Sequence, residues 1–412
     1  RQIINNELRS LVIYRNLLDD EIIQNLIDIF DILNDPENSF FEECVSLYSD
    51  LCSKLFEKEI SLSDYILDLI LYDENIFSKQ CSKVGFVNVK KNLRDAAFHD
   101  LDILFSLCAL SAKDLKDEIR ISFPKEKDFV SGLCEYAITD ILYDKEAVGE
   151  FYEKNSFGVF AKYRAFLFNS DKSLKPVSNL DDIKLSDLKL YEAQREKVIH
   201  NTLCLLEGTP CCNVLLYGDR GTGKSSTVKA VLNEYSSKGL RMVQLVKDNI
   251  MLLPDLMERL GEIPLKFIIF VDDLTFNEND YNFGAMKTVL EGSLNKQPSN
   301  IAIYVTTNRR HLIKETFSSR EGDEIHRADT IDDTISLSER FGLTITFSIP
   351  NKDNYLEIVR QIAEDRNLPV EREELFKGAE RFALLKNGRT PRVAKQYVDS
   401  VESNLKLSAG VK

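Results

Sequence analysis

Between Gly218 and Ser225 the chain reads Gly-Asp-Arg-Gly-Thr-Gly-Lys-Ser, the spacing GxxxxGK[ST], directly after the apolar run Asn213–Tyr217 and ahead of a helical pattern. Glycines at this spacing let successive backbone N–H groups converge on phosphate oxygens. A helix start adds unpaired donors and the positive end of its dipole. The set Gly218, Asp219, Arg220, Gly221, Thr222, Gly223, Lys224, Ser225 and Ser226 is therefore expected to cradle the phosphates of a nucleotide. Within it, Lys224 would reach the β- and γ-phosphates and Ser225 would ligate Mg²⁺.

A second apolar run, Phe267–Val271, ends in Asp272-Asp273. In a parallel sheet this delivers carboxylates to the same sheet edge as the glycine-rich loop. Asp272 is expected to hold the Mg²⁺ shell, directly or through water, and Asp273 to position or deprotonate an attacking water. Adjacent strand residues face opposite sides, so the two need different tasks unless the strand ends between them.

These side chains need a scaffold, and the chain supplies one by alternation. Short apolar strands at Val214–Tyr217, Met242–Val246, Phe267–Val271, Ile301–Thr306 and Leu343–Phe347 are separated by helical stretches. That pattern predicts an α/β domain with a mostly parallel sheet over residues 181–349. Residues 1–180 carry apolar stripes at helical spacing, as in Ile22, Ile23, Leu26, Ile27, Ile29 and Phe30, or Leu101, Ile103, Leu104, Leu107 and Leu110. They predict a separate helical domain with Asp20 as a helix cap. The polar stretch from Asn169 through Pro176 to Asp182 reads as the connection, and residues 350–412 as a small helical lid whose last helix follows Pro391.

Bulk properties bound the rest. A 412-residue chain with 43% apolar and 29% charged residues fits a globular protein of two or three domains. No apolar run approaches the ~18 residues of a membrane span, and the start at Arg1 shows no secretory pattern, so a cytoplasmic location is expected. The net charge of −14 disfavours a surface that attracts nucleic acid as a whole. The eight cysteines lack CxxC spacing and read mostly as buried side chains in a reducing compartment, and no metal cluster is expected beyond the Mg²⁺ site.

Four ordered segments together resemble the AAA+ ATPases: Asn213–Ser225, Phe270–Asp273, Ala302–Leu312 and Ser336–Leu343. The likeness is greatest to a bacterial family of predicted AAA+ ATPases formerly grouped as a domain of unknown function, and it covers the chain from about Ile183 onward. It implies a P-loop AAA+ core with a C-terminal helical lid, ATP and Mg²⁺ as ligands, and a homo-oligomer with nucleotide at subunit interfaces. Asn308 would be the sensor after the fourth core strand, with Thr306 and Thr307 supporting the loop. Arg340 would be the arginine finger, with Arg320 as rival, and Arg392 the lid sensor, with Arg389 as rival. Asp273 stands where the family usually has Glu, a shorter side chain that implies slow hydrolysis until an oligomer closes. Tyr191 fits either a base contact or a core aromatic. Glu291 and the basic run Arg309-Arg310-His311 read mainly as surface.

The resemblance implies a Mg²⁺-dependent ATPase coupling ATP hydrolysis to protein remodelling or assembly control, with residues 1–180 recognising a protein partner. A nucleic-acid loader or initiator-like switch and a weakly hydrolysing nucleotide-bound scaffold are the alternatives.

Overall fold

The computed structural model describes residues 7–36, 40–140, 143–275, 281–291, 297–308, 340–386 and 388–410. The expectations placed on Arg309, Arg310, His311, Arg320 and the segment Ser336–Glu339 lie outside the described residues. The chain divides into two compact units, residues 1–162 and 163–412.

The first unit is helical: α1 (Glu21–Asn34), α2 (Phe41–Glu57), α3 (Leu62–Leu71), α4 (Ile76–Val84), α5 (Lys91–Cys108), α6 (Ala112–Ser122), α7 (Lys127–Ser131), α8 (Lys145–Asn155) and α9 (Gly158–Lys162). The stripe on α1 is buried from Ile22 to Phe30, as is Leu101–Leu107 on α5, because residues three and four apart share one helix face. Asp20 caps α1 by accepting the Ile22 and Ile23 amides at 2.9 and 3.1 Å. The core closes around the fully buried rings of Tyr14, Tyr48, Phe77 and Tyr152. Asp100, on α5, is buried and its Oδ2 accepts the amides of Val12, Ile13 and Tyr14 at 2.9, 2.6 and 3.1 Å, which offsets part of the hydration its carboxylate loses, while Oδ1 has no hydrogen-bond partner among the described residues.

The second unit is built on a sheet of seven strands among the described residues: β1 (Ala165–Phe168), β2 (Leu174–Pro176), β3 (Val214–Gly218), β4 (Leu240–Leu245), β5 (Lys266–Val271), β6 (Ile301–Thr307) and β7 (Leu343–Phe347). The order is β2-β1-β4-β5-β6-β3-β7. Every pairing is parallel except β1 with β2. Phe267–Val271 and all of β6 are buried, and the apolar runs Phe267–Val271 and Ile301–Val305 follow from being covered on both faces. Helices α10 (Glu192–Leu206), α11 (Lys224–Tyr235), α12 (Leu253–Gly261) and α13 (Tyr281–Glu291) alternate with the strands. Helices α14 (Lys352–Asp365), α15 (Arg372–Leu385) and α16 (Pro391–Gly410) pack on a core of their own, centred on Tyr355, Val359, Ala379 and Val398. Pro391 opens α16, where its fixed φ and missing N–H are tolerated.

The two compact units divide between Lys162 and Tyr163, whereas the sequence pattern puts a domain boundary near residue 180. Of the stretch expected to connect the domains, Asn169–Pro176 belongs to an edge hairpin. Ala165–Phe168 is short and apolar and pairs parallel with β4, and Asn169–Ser173 makes the turn. The turn is held by Asn169 accepting the Lys172 amide at 3.0 Å and by Asp171 accepting the Ser173 amide at 2.9 Å. Its polar composition serves turn chemistry, which a linker shares. The cysteines also differ from expectation: Cys44, Cys52, Cys81 and Cys108 are buried, Cys204 and Cys211 are half-buried, and Cys134 and Cys212 are exposed. Among the described residues no helix is long and apolar enough to cross a membrane.

Candidate active site

The sheet order brings the carboxyl ends of β5, β6 and β3 side by side, and the loop after β3 turns there into α11. Gly218 has φ +136°, and a Cβ on it would lie 2.0 Å from the Phe347 carbonyl oxygen, so only glycine lets β3 and β7 close at this point. The loop's shape is locked by Asp219, whose amide donates to Phe347 O at 3.1 Å and whose carbonyl accepts the Thr222 hydroxyl at 2.8 Å. Gly223, at φ +96°, occupies the N-cap of α11; no side chain caps the helix, and a Cβ there would meet nothing within 4 Å. The helix's first amides thus face open space, the condition for an anion site.

Lys224 is 6% exposed and folds back over the loop. Its Nζ donates to the carbonyls of Gly218 and Asp219 at 2.8 and 2.7 Å and to Asn308 Oδ1 at 3.0 Å. Burial pulls its ammonium below the ordinary lysine range, while Asp219, Asp273 and Asp272 act in the opposite sense and Arg392 adds to the lowering. Ser225 Oγ donates to Asp272 Oδ1 at 2.5 Å.

Strand β5 ends at Val271, so neither aspartate is held to strand alternation. Asp272 continues toward Ser225, and Asp273 turns with φ +51°. Thr306 fixes both: its hydroxyl donates to Asp272 Oδ1 and accepts the Asp273 amide at 2.9 Å. Asn308 spans the site, with Oδ1 on Lys224 and Nδ2 on Asp273 Oδ1. An amide suits this place because it accepts from the cation and donates to the carboxylate at once.

These groups line a cavity of about 970 Å³ whose other wall comes from the lid, including Ile358, Ile362, Arg366 and Arg392. The Arg392 amide donates to Gly221 O at 3.2 Å, and a Cβ on Gly221 would come within 2.9 Å of Thr390 Oγ1. The two lid arginines are thereby separated. Arg389 is bound bidentately to Glu380 at 3.0 and 2.8 Å, whereas Arg392 lines the cavity. Tyr191 lines it too, but its hydroxyl donates to Ser348 O at 2.5 Å and its ring packs 5.1 Å from Phe347, so it serves as a wall aromatic. Burial, with Asp219 nearby, pushes its phenol up to about 12.

Arg340 is not among the cavity residues. It precedes β7, at the amino ends of the strands, while the glycine-rich loop follows β3 at their carboxyl ends. Five residues of β7 separate those edges, about 16 Å of strand.

The donor set fits a hydrated Mg²⁺ better than a fully protein-ligated ion. A hydroxyl and a carboxylate oxygen lie side by side at Ser225 and Asp272, next to open space above Gly223, and no group of three or more His, Cys, Asp or Glu forms a metal cluster among the described residues. Mg²⁺ keeps several waters and takes few protein ligands alongside phosphate oxygens. Sequence reasoning missed three ion pairs formed by residues of the rim, Lys189 with Asp365 at 2.5 Å and Arg366 with Asp399 and Glu402 at 2.7 and 2.9 Å. Lys189 and Asp365 lie in segments far apart along the chain, and no local spacing announces such a meeting.

The model of a family described as "Protein of unknown function (DUF815)" matches residues 161–405, more than half of the chain. No curated protein matches the chain at a significant level. Among solved structures, the Thermotoga maritima RuvB Holliday junction branch migration motor is similar at 15% identity over 55% of this chain and 66% of that one, with a TM-score of 0.36. A point variant of that protein gives 16% identity, 55% and 66% coverage and a TM-score of 0.37. This chain thus spans just under two thirds of the length of those structures.

Proposed function

We propose that the chain, which belongs to the family described as "Protein of unknown function (DUF815)", is a Mg²⁺-dependent AAA+ ATPase whose nucleotide lies between sheet edge and lid. The observation that carries this reading is the convergence, on one cavity, of an uncapped helix start, a buried lysine, a hydroxyl–carboxylate pair and a carboxylate–amide pair. Each answers a separate need of phosphoryl transfer: anion binding, charge neutralisation, metal ligation and water orientation.

In this reading the amides of the loop and of α11 hold the phosphates, and Lys224 transfers its hydrogen bonds from the Gly218 and Asp219 carbonyls to phosphate oxygens. Ser225 and Asp272 hold Mg²⁺, which when bound supplies positive charge against that developing on the transferring group. Asp273 accepts a hydrogen bond from the attacking water, and Asn308 fixes the carboxylate that does so. Arg392 meets the γ-phosphate from the lid. Arg340, too far along β7 to serve its own site, completes a neighbour's, so the active form is an oligomer with a shared site.

Protein remodelling or assembly control is the output that fits best, given the net charge of −14 and a separate helical unit available for a protein partner. The test uses two variants of the purified protein. Lys224→Ala abolishes productive ATP binding, whereas Asp273→Asn retains binding and loses turnover by about 10²- to 10⁴-fold, the span of general-base catalysis. Equal hydrolysis by wild type and both variants would overturn the assigned site. Sedimentation with and without ATP, together with hydrolysis by Arg340→Ala, tests the shared site: full activity from a lone protomer excludes it.

A further inference from the structure

The segment Lys189-Leu190-Tyr191 lies just ahead of α10, and each of its three side chains makes a different contact toward the lid. Lys189 is paired at 2.5 Å with Asp365, the last residue of α14, and also donates to Ser186 O at 2.9 Å. Leu190 packs on two cores at once, that of the sheet and that of the lid. The Tyr191 hydroxyl holds Ser348 O at 2.5 Å, in the short stretch between β7 and α14. One short segment therefore grips the first lid helix at its far end and the chain just before its start.

That grip is built on a backbone few side chains adopt. Leu190 and Tyr191 follow one another at φ +66° and +65°, in the left-handed region that costs a non-glycine residue energy and persists only where its surroundings impose it. Here the first turn of α10 imposes it: the Arg195 guanidinium donates to the Leu190 carbonyl, and the Arg195 amide to the Tyr191 carbonyl at 2.9 Å. On the lid side the next residue carries the contact onward, since Arg366 binds Asp399 and Glu402 of α16 at 2.7 and 2.9 Å. Lys189, Leu190, Tyr191 and Asp365 all line the 970 Å³ cavity, so what they hold shut is the candidate nucleotide site. The Asp365 side chain is 57% exposed and that of Lys189 16%, and a pair with one solvated partner is weak enough to open at each exchange.

We propose that the Lys189–Asp365 pair, backed by Leu190, is a latch that gates entry and exit of the nucleotide at the lid, an inference that rests on the nucleotide reading of the cavity. Two of the three ammonium donors of Lys189 go to Asp365 and Ser186, so its task is to hold the lid and not to ligate the nucleotide. A latch equally strong over a filled or an empty cavity slows passage in both directions alike. Breaking it therefore changes both rates and leaves Kd where it was, because it favours neither state of the site. A side chain that bound the nucleotide would act on Kd instead.

Stopped-flow mixing of the full chain with ADP carrying an N-methylanthraniloyl group on its ribose, followed by a chase with unlabelled ADP, reads entry and exit. Lys189→Met and Asp365→Asn are each expected to raise both rates about 2- to 5-fold, the range of an ion pair with one solvated partner, with Kd unchanged. Leu190→Ala moves both rates in the same direction. The exchanged pair, Lys189→Glu with Asp365→Lys, returns them toward wild type, which a loss of local structure would not do. The latch is rejected if the single variants exchange at the wild-type rate, if they weaken Kd through exit alone, or if the exchanged pair recovers nothing. Failure of the wild type to bind labelled ADP would reject the nucleotide reading itself, and the latch with it.

Discussion

Two lysines, one in each unit, are almost equally hidden from solvent, at 3% for Lys116 and 6% for Lys224, and their surroundings give them opposite uses. Around Lys116 the acceptors Ser131 O, Leu133 O and Glu135 come from one short segment and consume the ammonium's donors, so the charge acts as a clip. Around Lys224 two of the acceptors are carbonyls of a glycine-rich loop, and the third is the amide that also holds Asp273. Lys224 borders a cavity of about 970 Å³, and Lys116 lines neither that cavity nor the smaller one beside Tyr65 and Tyr72. A buried cation therefore does not identify a site by itself. Space beside it, and partners that can be exchanged for a ligand, do.

The comparison breaks if the two lysines respond alike. Lys224→Ala is expected to lower ATP turnover by about 10³-fold or more, the scale of losing a preorganised charge at the transferring group, with unfolding by urea little changed. Lys116→Ala is expected to leave ATP affinity intact and to destabilise the first unit by about 2 kcal/mol, the scale of hydrogen bonds to a charged group, since Glu135 is exposed and is left solvated. ATP titration and urea melts on both variants read the two axes together. A loss of nucleotide affinity in the Lys116 variant would show that the clip and the site are not independent.

The lid arginines sharpen the same contrast at smaller amplitude. Arg392→Ala is expected to weaken ATP binding about tenfold, roughly one charge-assisted hydrogen bond. Arg389→Ala removes only a solvent-screened pair with Glu380 and should leave both stability and ATP affinity essentially unchanged. Isothermal titration distinguishes them, and equal effects would reject the separation of roles.

The smallest expected effect is the pH response of Lys224. Its folded-state pKa lies below the ordinary 10.5 because burial disfavours the ammonium. Between those two values the unfolded chain binds more protons, so this group's contribution to stability rises with pH, while ATP affinity, which needs the ammonium, falls. The difference between wild type and Lys224→Met across alkaline pH isolates the term from the tyrosines. An affinity that holds level up to the ordinary lysine pKa would contradict the burial argument.

Much of this was legible in the order of residues. The glycine-rich loop, Lys224, Ser225 and Asp272-Asp273 lie in local patterns where spacing carries the chemistry, and helix α1 follows from its periodicity and the Asp20 cap. The β1–β2 hairpin escaped because Ala165–Phe168 is a four-residue strand and its turn has the composition of a linker. Sequence alone left Arg389 and Arg392 rivals; only the fold shows Glu380 across from one and the cavity beside the other. The Lys116 clip and the Lys189–Asp365 pair depend on segments meeting from a distance, which no window of sequence displays.

The bond from the Arg392 amide to the Gly221 carbonyl has a mechanical consequence. It fastens the first turn of α16 to the glycine-rich loop, so that end must travel with the loop and can serve as a pivot. The helix has 20 residues and is a lever about 30 Å long. A tilt of about 10° at the pivot would sweep its far end through about 5 Å of arc at that length, turning a small shift of the loop into a displacement several times larger at the chain's end of the lid.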